Sequence, residues 1–229
     1  MPEKLIQYPS FGVVTTIFNE KKFIFRCCPI DKRCNAGHYH NDQCSIFIED
    51  LFIDIGSYSY NRGIKDRNYF RYTRNHNVGY IYNLEQNGNL KNTFDLRPFN
   101  STTSCKVSQP DQHMIYINSK LKYNSGEIYR REVLINEEIK KIYITDQFKN
   151  IMSNYVGVNF NLHPSLTPKI INKQRINLGN IIIKSNLPLK IGSRFFSPFY
   201  DYKEYIKYIY CNTKNYINRP IKFELLFLS

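Results

Sequence analysis

Three of the five histidines of this chain lie within residues 36–77, among acidic, basic and aromatic side chains. His38 and His40 are two positions apart, and residues i and i+2 of an extended strand face the same side. Asp54 ends a short apolar run, which predicts a neighbouring strand, and His76 follows a basic, aromatic connection. Neutral imidazole and carboxylate groups suit zinc, and also iron or manganese. The segment therefore predicts a metal site.

Three ordered sequence blocks carry these residues: Gly37-His38-Tyr39-His40-Asn41-Asp42, Asp54-Ile55-Gly56-Ser57-Tyr58-Ser59-Tyr60, and Arg67-Asn68-Tyr69-Phe70-Arg71-Tyr72-Thr73-Arg74-Asn75-His76-Asn77. The segment resembles the C-terminal β-domain of the heparinase II/III-like polysaccharide lyases. That family shows G-H-x-H-x-D-x-x-S-F, then D-x-G-x-Y-x-Y, then R-x-Y-F-R-x-T-x-x-H-N. Ser45-Ile46 stands where the family prefers Ser-Phe, which is a mild departure.

Weaker similarity continues through the rest of the chain. Tyr129-Arg130-Arg131 at the start of one strand and Asp146 at the end of the next fit the second half of the family domain. Ser197-Pro198-Phe199-Tyr200 fits a turn that the family writes Ser-Pro-x-Tyr-Gly, and Asp201 replaces the glycine. The resemblance is specific only at residues 37–77.

The resemblance implies an activity and a set of residue roles. Enzymes of the family cleave uronate-containing polysaccharides by β-elimination. His38 matches the active-site histidine, which serves acid–base chemistry or neutralises the substrate carboxylate. Tyr58 and Arg71 are the loop residues expected to contact substrate.

The resemblance also implies a bound cation, usually Zn²⁺, whose role in the family is largely structural. The implied ligands are His40, Asp54 and His76. Asp42 is expected to cap a turn or to support the histidines from outside the ligand set.

The family's N-terminal α/α toroid has no counterpart here, because only 37 residues precede His38. The toroid supplies a catalytic tyrosine and an Asn or His for the uronate carboxylate. We therefore expect a split or truncated gene product, a domain that works with a separate toroid chain, or a vestigial binding domain. The N-terminus lacks the apolar core of a signal peptide. The family resemblance predicts the envelope or periplasm, whereas the chain as written predicts the cytoplasm.

The composition indicates which class of partner the protein can bind. Lys plus Arg is 32 and Asp plus Glu is 19, giving a net charge of +13, which favours a polyanion such as nucleic acid or an acidic polysaccharide. The basic residues are spread along the chain without a dense run, which argues against a nucleic-acid arm.

No apolar run approaches the length of a membrane span. The six cysteines form no C-x-x-C pair, and most are expected to be small buried residues.

Short strand-like segments recur along the whole chain: FGVVTTIF, KKFIFRCC, CSIFIE, residues 51–54, NVGYIY, HMIYINSKL, EIYRREVLIN, KIYITDQF, VGVNFNLH, NIIIKS and IKFELLFL. They predict an all-β fold, an antiparallel two-sheet β-sandwich, in one domain over residues 1–229. Residues 156–163 alternate in polarity, which predicts a half-buried strand. Residues 56–76 read as a long functional loop, and the only helix is expected near residues 202–208.

Two other functional classes remain open. One is a non-catalytic carbohydrate-binding or structural module with the same fold. The other is a cupin-like metal-dependent oxygenase that uses the H-x-H pair or Asp42 with a later histidine. A nucleic-acid-binding protein is disfavoured because the sequence contains no recognised module.

Overall fold

The computed structural model describes residues 5–27, 38–88, 90, 92–152, 155–214, 216 and 218–228. Its strands are β1 (Leu5–Tyr8), β2 (Val13–Phe18), β3 (Lys21–Arg26), β4 (Ser45–Ile48), β5 (Gly79–Ile81), β6 (Ser101–Asp111), β7 (Met114–Tyr123), β8 (Ile128–Asn136), β9 (Lys141–Lys149), β10 (Val156–Asn161), β11 (Lys169–Asn172), β12 (Arg175–Asn177), β13 (Ile181–Ser185), β14 (Lys190–Phe196), β15 (Glu204–Thr213) and β16 (Ile221–Phe227). A helix, α1 (Ile64–Arg71), and a 3-10 turn at Thr73–Asn75 follow the first four strands. Within these ranges, no helix has the length and apolar character that crossing a bilayer requires.

The strands form three antiparallel sheets. One has eight strands in the order β11-β12-β13-β16-β9-β8-β7-β6, and the others have the orders β1-β2-β3-β4 and β14-β15-β10-β5. Phe52 joins the two smaller sheets, because it forms bridges with both Ile48 and Leu162. They therefore make one layer opposite the eight-stranded sheet. The predicted antiparallel β-sandwich is confirmed.

The core lies between the two layers. Strands β7, β8 and β9 alternate strictly between buried and partly exposed residues, as expected when one face of a sheet packs inward. Phe160 of the smaller layer stacks on Phe52 at 4.7 Å between ring centroids and meets Phe223 of the eight-stranded sheet edge-on at 4.9 Å. These aromatic contacts connect the layers directly.

Strand β10 is buried on both faces, so the prediction of a half-buried strand was wrong. Its outer face is covered by the segment that contains α1 and the 3-10 turn. Asn159 donates from its side chain to the carbonyl oxygen of Arg74 at 2.5 Å, and Asn161 donates to that of Asn75 at 2.9 Å. The polar residues of the strand therefore serve a buried interface between the sheet and this covering segment.

Several local predictions also need correction. The helix expected near residues 202–208 is wrong, because β15 occupies Glu204–Thr213 and pairs with strands on both sides. Residues 56–76 are not one long loop, since they include α1. Residues 51–54 contain only the Phe52 bridge, so Asp54 does not end a strand. His38 and His40 lie outside any strand, and Gly37, Cys28 and Cys34 lie outside the described residues.

A buried ion pair ties the eight-stranded sheet to the irregular segments of the other layer. Arg131 and Asp146 are both fully buried and form two hydrogen bonds, Nε to Oδ1 at 2.7 Å and Nη2 to Oδ2 at 2.9 Å. Tyr129 donates its hydroxyl to the same carboxylate at 2.5 Å. Nη1 of Arg131 donates to the carbonyl oxygens of Cys44 at 3.0 Å and Asn77 at 2.6 Å. The Arg131 guanidinium thus connects β9 with the segments that contain Cys44 and Asn77.

We expect Asp146→Ala to lower the free energy of unfolding by about 3–5 kcal/mol, because it leaves the Arg131 guanidinium buried without its counterion. Urea unfolding followed by circular dichroism measures the change. Glu224→Gln is the matched control, since Glu224 pairs with Lys141 and Lys184 near the surface, where ion pairs contribute little. Equal effects of the two substitutions would contradict the anchoring role of the buried pair.

Candidate functional site

The three predicted metal ligands converge in the structure. His40, Asp54 and His76 each offer a ligand atom, and these atoms lie within 4.8 Å of one another. Nδ1 of His76 lies 2.7 Å from Oδ2 of Asp54, and the rings of His40 and His76 are 5.3 Å apart. The two histidines are buried, whereas the Asp54 side chain is 45% exposed. The cluster therefore has a buried side and an open side.

His40 is positioned by the residue that follows it. The backbone nitrogen of Asn41 donates to the carbonyl oxygen of Arg71 at 3.1 Å. Its side-chain amide donates to Glu85 at 3.0 Å, and its amide oxygen accepts from the backbone of Asn87 at 3.0 Å. Buried irregular backbone needs such side-chain partners, because it has no strand neighbours to satisfy it.

Asp54 is positioned by a tight turn. Gly56 has φ 79° and donates its backbone N–H to Oδ1 of Asp54 at 3.0 Å. A Cβ at Gly56 would lie 2.1 Å from the carbonyl oxygen of Ser197, so no larger residue fits. The backbone nitrogen of Ser197 in turn donates to the carbonyl oxygen of Ile55 at 2.8 Å. The D-x-G block thus requires glycine both for its backbone angle and for this close approach.

His76 is positioned by Asn77. The Asn77 side-chain amide donates to the carbonyl oxygens of Ile46 and Ile53, both at 2.9 Å. Its amide oxygen accepts from the backbone nitrogen of Asn161 at 2.6 Å. One asparagine therefore links the His76 segment to β4, to the residue before Asp54 and to β10.

The electrostatic environment of the cluster shifts the pKa values of the two imidazoles in opposite directions. Burial, together with the nearby His76, lowers the pKa of His40 well below its usual value. Burial also acts to lower the pKa of His76, but the charge of Asp54 outweighs it and the pKa is raised. Partial burial acts to raise the pKa of Asp54, and His76 reverses this and holds it below the usual range. The cluster therefore combines a neutral imidazole with an ionised carboxylate.

The guanidinium of Arg67 lies on the buried side of the cluster. Nη1 of the fully buried Arg67 donates to Nε2 of His40 at 2.9 Å, and Ser57 Oγ lies 3.3 Å from the same nitrogen. Arginine only donates hydrogen bonds, so Nε2 of His40 acts as the acceptor and the ring proton lies on Nδ1. The Arg67 guanidinium also lies over the Tyr60 ring at 4.6 Å.

The residues fit a cation by their chemistry. Two imidazoles and one carboxylate form a donor set that zinc accepts. Nε2 of His76 is buried without a hydrogen-bond partner, and in the neutral ring, whose Nδ1 donates to Asp54, it carries the lone pair that a cation would take. A cation that took the Nε2 lone pair of His40 would replace the hydrogen bond from Arg67.

His38 lies apart from this cluster, so the H-x-H pair does not converge on one point. It is exposed, and its Nδ1 lies 3.3 Å from the hydroxyl of Tyr60. The Tyr60 ring stacks against Phe94 at 5.7 Å and Tyr200 at 6.3 Å. We call Tyr60, Phe94 and Tyr200, with the neighbouring stacked pair Phe199 and Tyr202, the aromatic surface.

A family model with the description "Heparinase II/III-like, C-terminal" matches residues 1–190. The chain belongs to the heparinase II/III-like family. Sequence comparison with curated proteins finds no match.

Solved heparinase structures share the fold. The heparan sulfate lyase HepC from Pedobacter heparinus superposes with a TM-score of 0.80 at 12% identity, over 100% of this chain and 37% of that one. A heparinase III superposes with a TM-score of 0.77 at 12% identity, over 100% and 37%. Another heparinase III gene product gives 0.74 at 13% identity, over 99% and 36%. The chain thus spans little more than a third of the length of these structures.

The two residues expected to contact substrate differ in their placement. Arg71 is fully buried and donates to the side chain of Asn68 and to the carbonyl oxygen of Asn92 at 2.7 Å. Its guanidinium is thus bonded within the chain and buried, which disfavours a contact with substrate. Tyr58 is half-buried, with Nζ of Lys203 over its ring at 4.5 Å, and remains near the surface.

The departure of this heparinase-like domain from the family turn has a structural reason. Asp201, which replaces glycine, has φ 60°. Aspartate tolerates this left-handed conformation better than most residues. Its carboxylate binds Arg62 through two hydrogen bonds, at 2.8 and 2.6 Å, and its backbone N–H donates to the carbonyl oxygen of Tyr58 at 2.8 Å. The replacement therefore adds an ion pair between the turn and the D-x-G-x-Y segment.

Sequence reasoning missed two important features of the site. Arg67 belongs to a matched block but was not assigned a role, and only its contact with His40 reveals one. The aromatic surface brings together residues far apart in sequence, so no local signal could have identified it. Tyr60 was visible in the D-x-G-x-Y-x-Y block, and Phe199 and Tyr200 in the Ser-Pro-x-Tyr turn, but nothing in the sequence showed that they meet.

We expect the purified domain to bind one zinc ion per chain and His76→Ala to weaken that binding by about 100-fold or more, since ligand loss exceeds the effect of losing a supporting residue. Competition against a chromophoric chelator measures the affinity. His113→Ala is the control, because His113 is exposed, lies outside the cluster and has its ring in hydrogen-bond contact with Gln112. Equal zinc binding by both variants would exclude the His40–Asp54–His76 site.

We expect Asp201→Gly to be more stable than Asp201→Ala. Both remove the ion pair with Arg62, but only alanine places a Cβ in the left-handed region. Thermal unfolding of the two variants isolates the backbone effect. A melting temperature for the alanine variant at or above that of the glycine variant would show that the turn does not hold the φ angle described above.

Proposed function

We propose that this domain is the β-domain part of a polysaccharide lyase that acts on uronate-containing glycans by β-elimination. The observation that supports this most directly is the position of His38. Its exposed imidazole lies beside Tyr60 on the aromatic surface, and Arg67 connects the Tyr60 ring to His40 of the buried cluster. Membership of the heparinase II/III-like family supports this reaction class.

The reaction removes the proton at C5 of a uronate and expels the O4 oxygen. The adjacent carboxylate stabilises the developing enolate if a positive charge or a hydrogen-bond donor meets it. Imidazole can transfer protons near neutral pH, so His38 suits either the acid–base role or the carboxylate contact. Tyr60, which is in hydrogen-bond contact with His38, would orient its ring.

The surface beside His38 suits an anionic sugar chain. Phe94, Phe199 and Tyr200 are 47%, 62% and 56% exposed, and aromatic faces of this kind pack against apolar faces of sugar rings. Arg62 and Lys203 at the edge of this surface are each paired with a carboxylate, Asp201 and Asp66, so the attraction comes from the net charge of the whole chain, +13. An acidic glycan therefore gains both stacking and long-range attraction.

The cation has a structural role in this proposal. When bound by His40, Asp54 and His76, it would hold three irregular segments together and add positive charge close to the substrate surface. These residues would keep the Asp54 turn and the α1 segment in place, while His38 and the aromatic surface contact the glycan. Arg67 would stay on the buried side of the cluster and exclude water from His40.

The remaining half of the cleft is proposed to come from an α/α toroid. The solved relatives are almost three times longer than this chain, which covers 36% or 37% of them. A toroid, in the same or in a separate polypeptide, would supply the catalytic tyrosine and the carboxylate-binding residue of the family. An extracellular or periplasmic location would accord with such a substrate.

A carbohydrate-binding module without turnover is the alternative. It is favoured if no toroid takes part, because this chain alone corresponds to 37% of the solved relative. The cupin-like hypothesis has no support. Asp42, the carboxylate it required, forms an ion pair with Arg26 at 3.0 Å and is not part of the His40–Asp54–His76 cluster.

We expect the domain, combined with a heparinase α/α toroid and mixed with heparan sulfate, alginate or hyaluronan, to generate the ultraviolet absorbance of unsaturated uronates on at least one substrate. His38→Ala should slow this by about 100-fold or more, the usual contribution of a positioned acid or base. His113→Ala, an exposed histidine in the turn before β7, should leave the rate unchanged.

Glycan binding, measured by affinity electrophoresis, separates the two functions. Binding without absorbance by the wild-type domain even when the toroid is present would support the module and contradict the lyase. Absence of both binding and turnover on every glycan would contradict both proposals.

A further inference from the structure

A pair of cysteines meets where the four-stranded β1–β4 sheet faces the edge of the eight-stranded sheet. Cys27 directly follows β3 and is buried, and its thiol lies 3.5 Å from the carbonyl oxygen of Ser104 in β6. The next residue, Cys105, packs its side chain against the same core and lines the same surface cavity as Cys27. No feature of the proposed glycan site involves these residues.

Solvent reaches this pair through a surface cavity of about 310 Å³. Both cysteines line it, together with Gly12, Val14 and Val107. A third thiol, Cys44, belongs to the same core but is fully buried and does not line the cavity. An exchange reaction that begins in solution can therefore start at Cys105 and be completed by Cys27.

The two thiols have complementary acidities. The hydrogen bond from Cys27 lowers the pKa of Cys105, because it favours the Cys105 thiolate. The same contact, with Cys44 and burial, raises the pKa of Cys27. Cys105 is therefore the nucleophile of the pair, since thiolates and not thiols attack disulfides.

We propose that Cys27 and Cys105 form a reversible disulfide by exchange with a small-molecule disulfide. The Cys105 thiolate attacks one sulfur of the oxidant, which forms a mixed disulfide and releases one thiol. The Cys27 sulfur, once deprotonated, attacks the mixed disulfide at Cys105 and releases the second thiol. The two protein thiols are oxidised and the disulfide reagent is reduced to two thiols.

The bond would connect the end of β3 to β6, two strands of different sheets. Because it closes a long loop of chain, it restricts the unfolded state and stabilises the folded one. It would also brace the point at which the chain leaves β3 on its way to His40. Oxidising conditions would thereby stiffen the domain without any change at the site itself.

The test uses the full chain, incubated with oxidised glutathione or with dithiothreitol. We expect oxidation to remove two titratable thiols, peptide mapping to place the bond between Cys27 and Cys105, and the melting temperature to rise. Cys28→Ser, which alters the neighbouring cysteine in sequence, is the matched control and should behave like the wild type. Fragmentation of the linked peptide distinguishes Cys27 from Cys28.

Two variants keep the result interpretable. Cys105→Ser should lose both the bond and the melting-temperature rise, and its partly exposed position makes it tolerable. Cys27→Ser should retain glutathione on Cys105, because the resolving thiol is missing. A bond mapped to another pair, or unchanged thiol loss in Cys105→Ser, would overturn the proposal.

Discussion

The structure depends on the buried guanidinium of Arg131. A charge without water needs a counterion and a full set of acceptors, and Asp146 with the carbonyl oxygens of Cys44 and Asn77 supplies them. These two carbonyls belong to the segments that carry His40 and His76. The rigid eight-stranded sheet therefore sets the distance between the two halves of the candidate site, although none of its strands contributes a ligand.

Around this anchor, side-chain amides take the place of strand pairing. Asn41, Asn77 and Asn161 satisfy buried backbone groups of segments that have no regular partners. Such networks are specific because each missing bond leaves a buried polar group unsatisfied. This explains how irregular segments bring His40, Asp54 and His76 within 4.8 Å of one another. It also explains why asparagine recurs at positions where an apolar residue would pack equally well.

The open side of the site is built differently. The aromatic surface is held by stacked rings and by the Asp201–Arg62 ion pair, all close to solvent. Exposed contacts of this kind are individually weak. The buried cluster can thus keep its shape while the outer surface adapts to a bound chain, which accords with a division between a structural interior and a glycan-contacting exterior.

Local alternation was enough to predict the all-β sandwich and most of the longer strands, because it is a short-range signal. The ordered motif blocks indicated the cluster of His40, Asp54 and His76 only through the family resemblance, since the spacing alone predicted that His38 and His40 share one site. Local sequence could not show that β10 is covered on both faces or that β15 is a strand, since both depend on neighbours far away in sequence. Arg71 illustrates the limit most clearly: its motif suggested an exposed contact, whereas helix α1 turns it into the interior. The meeting of Tyr60 with Phe94 and Tyr200, and of Cys27 with Cys105, was likewise decided by tertiary structure alone, because packing between layers joins residues that no local pattern connects.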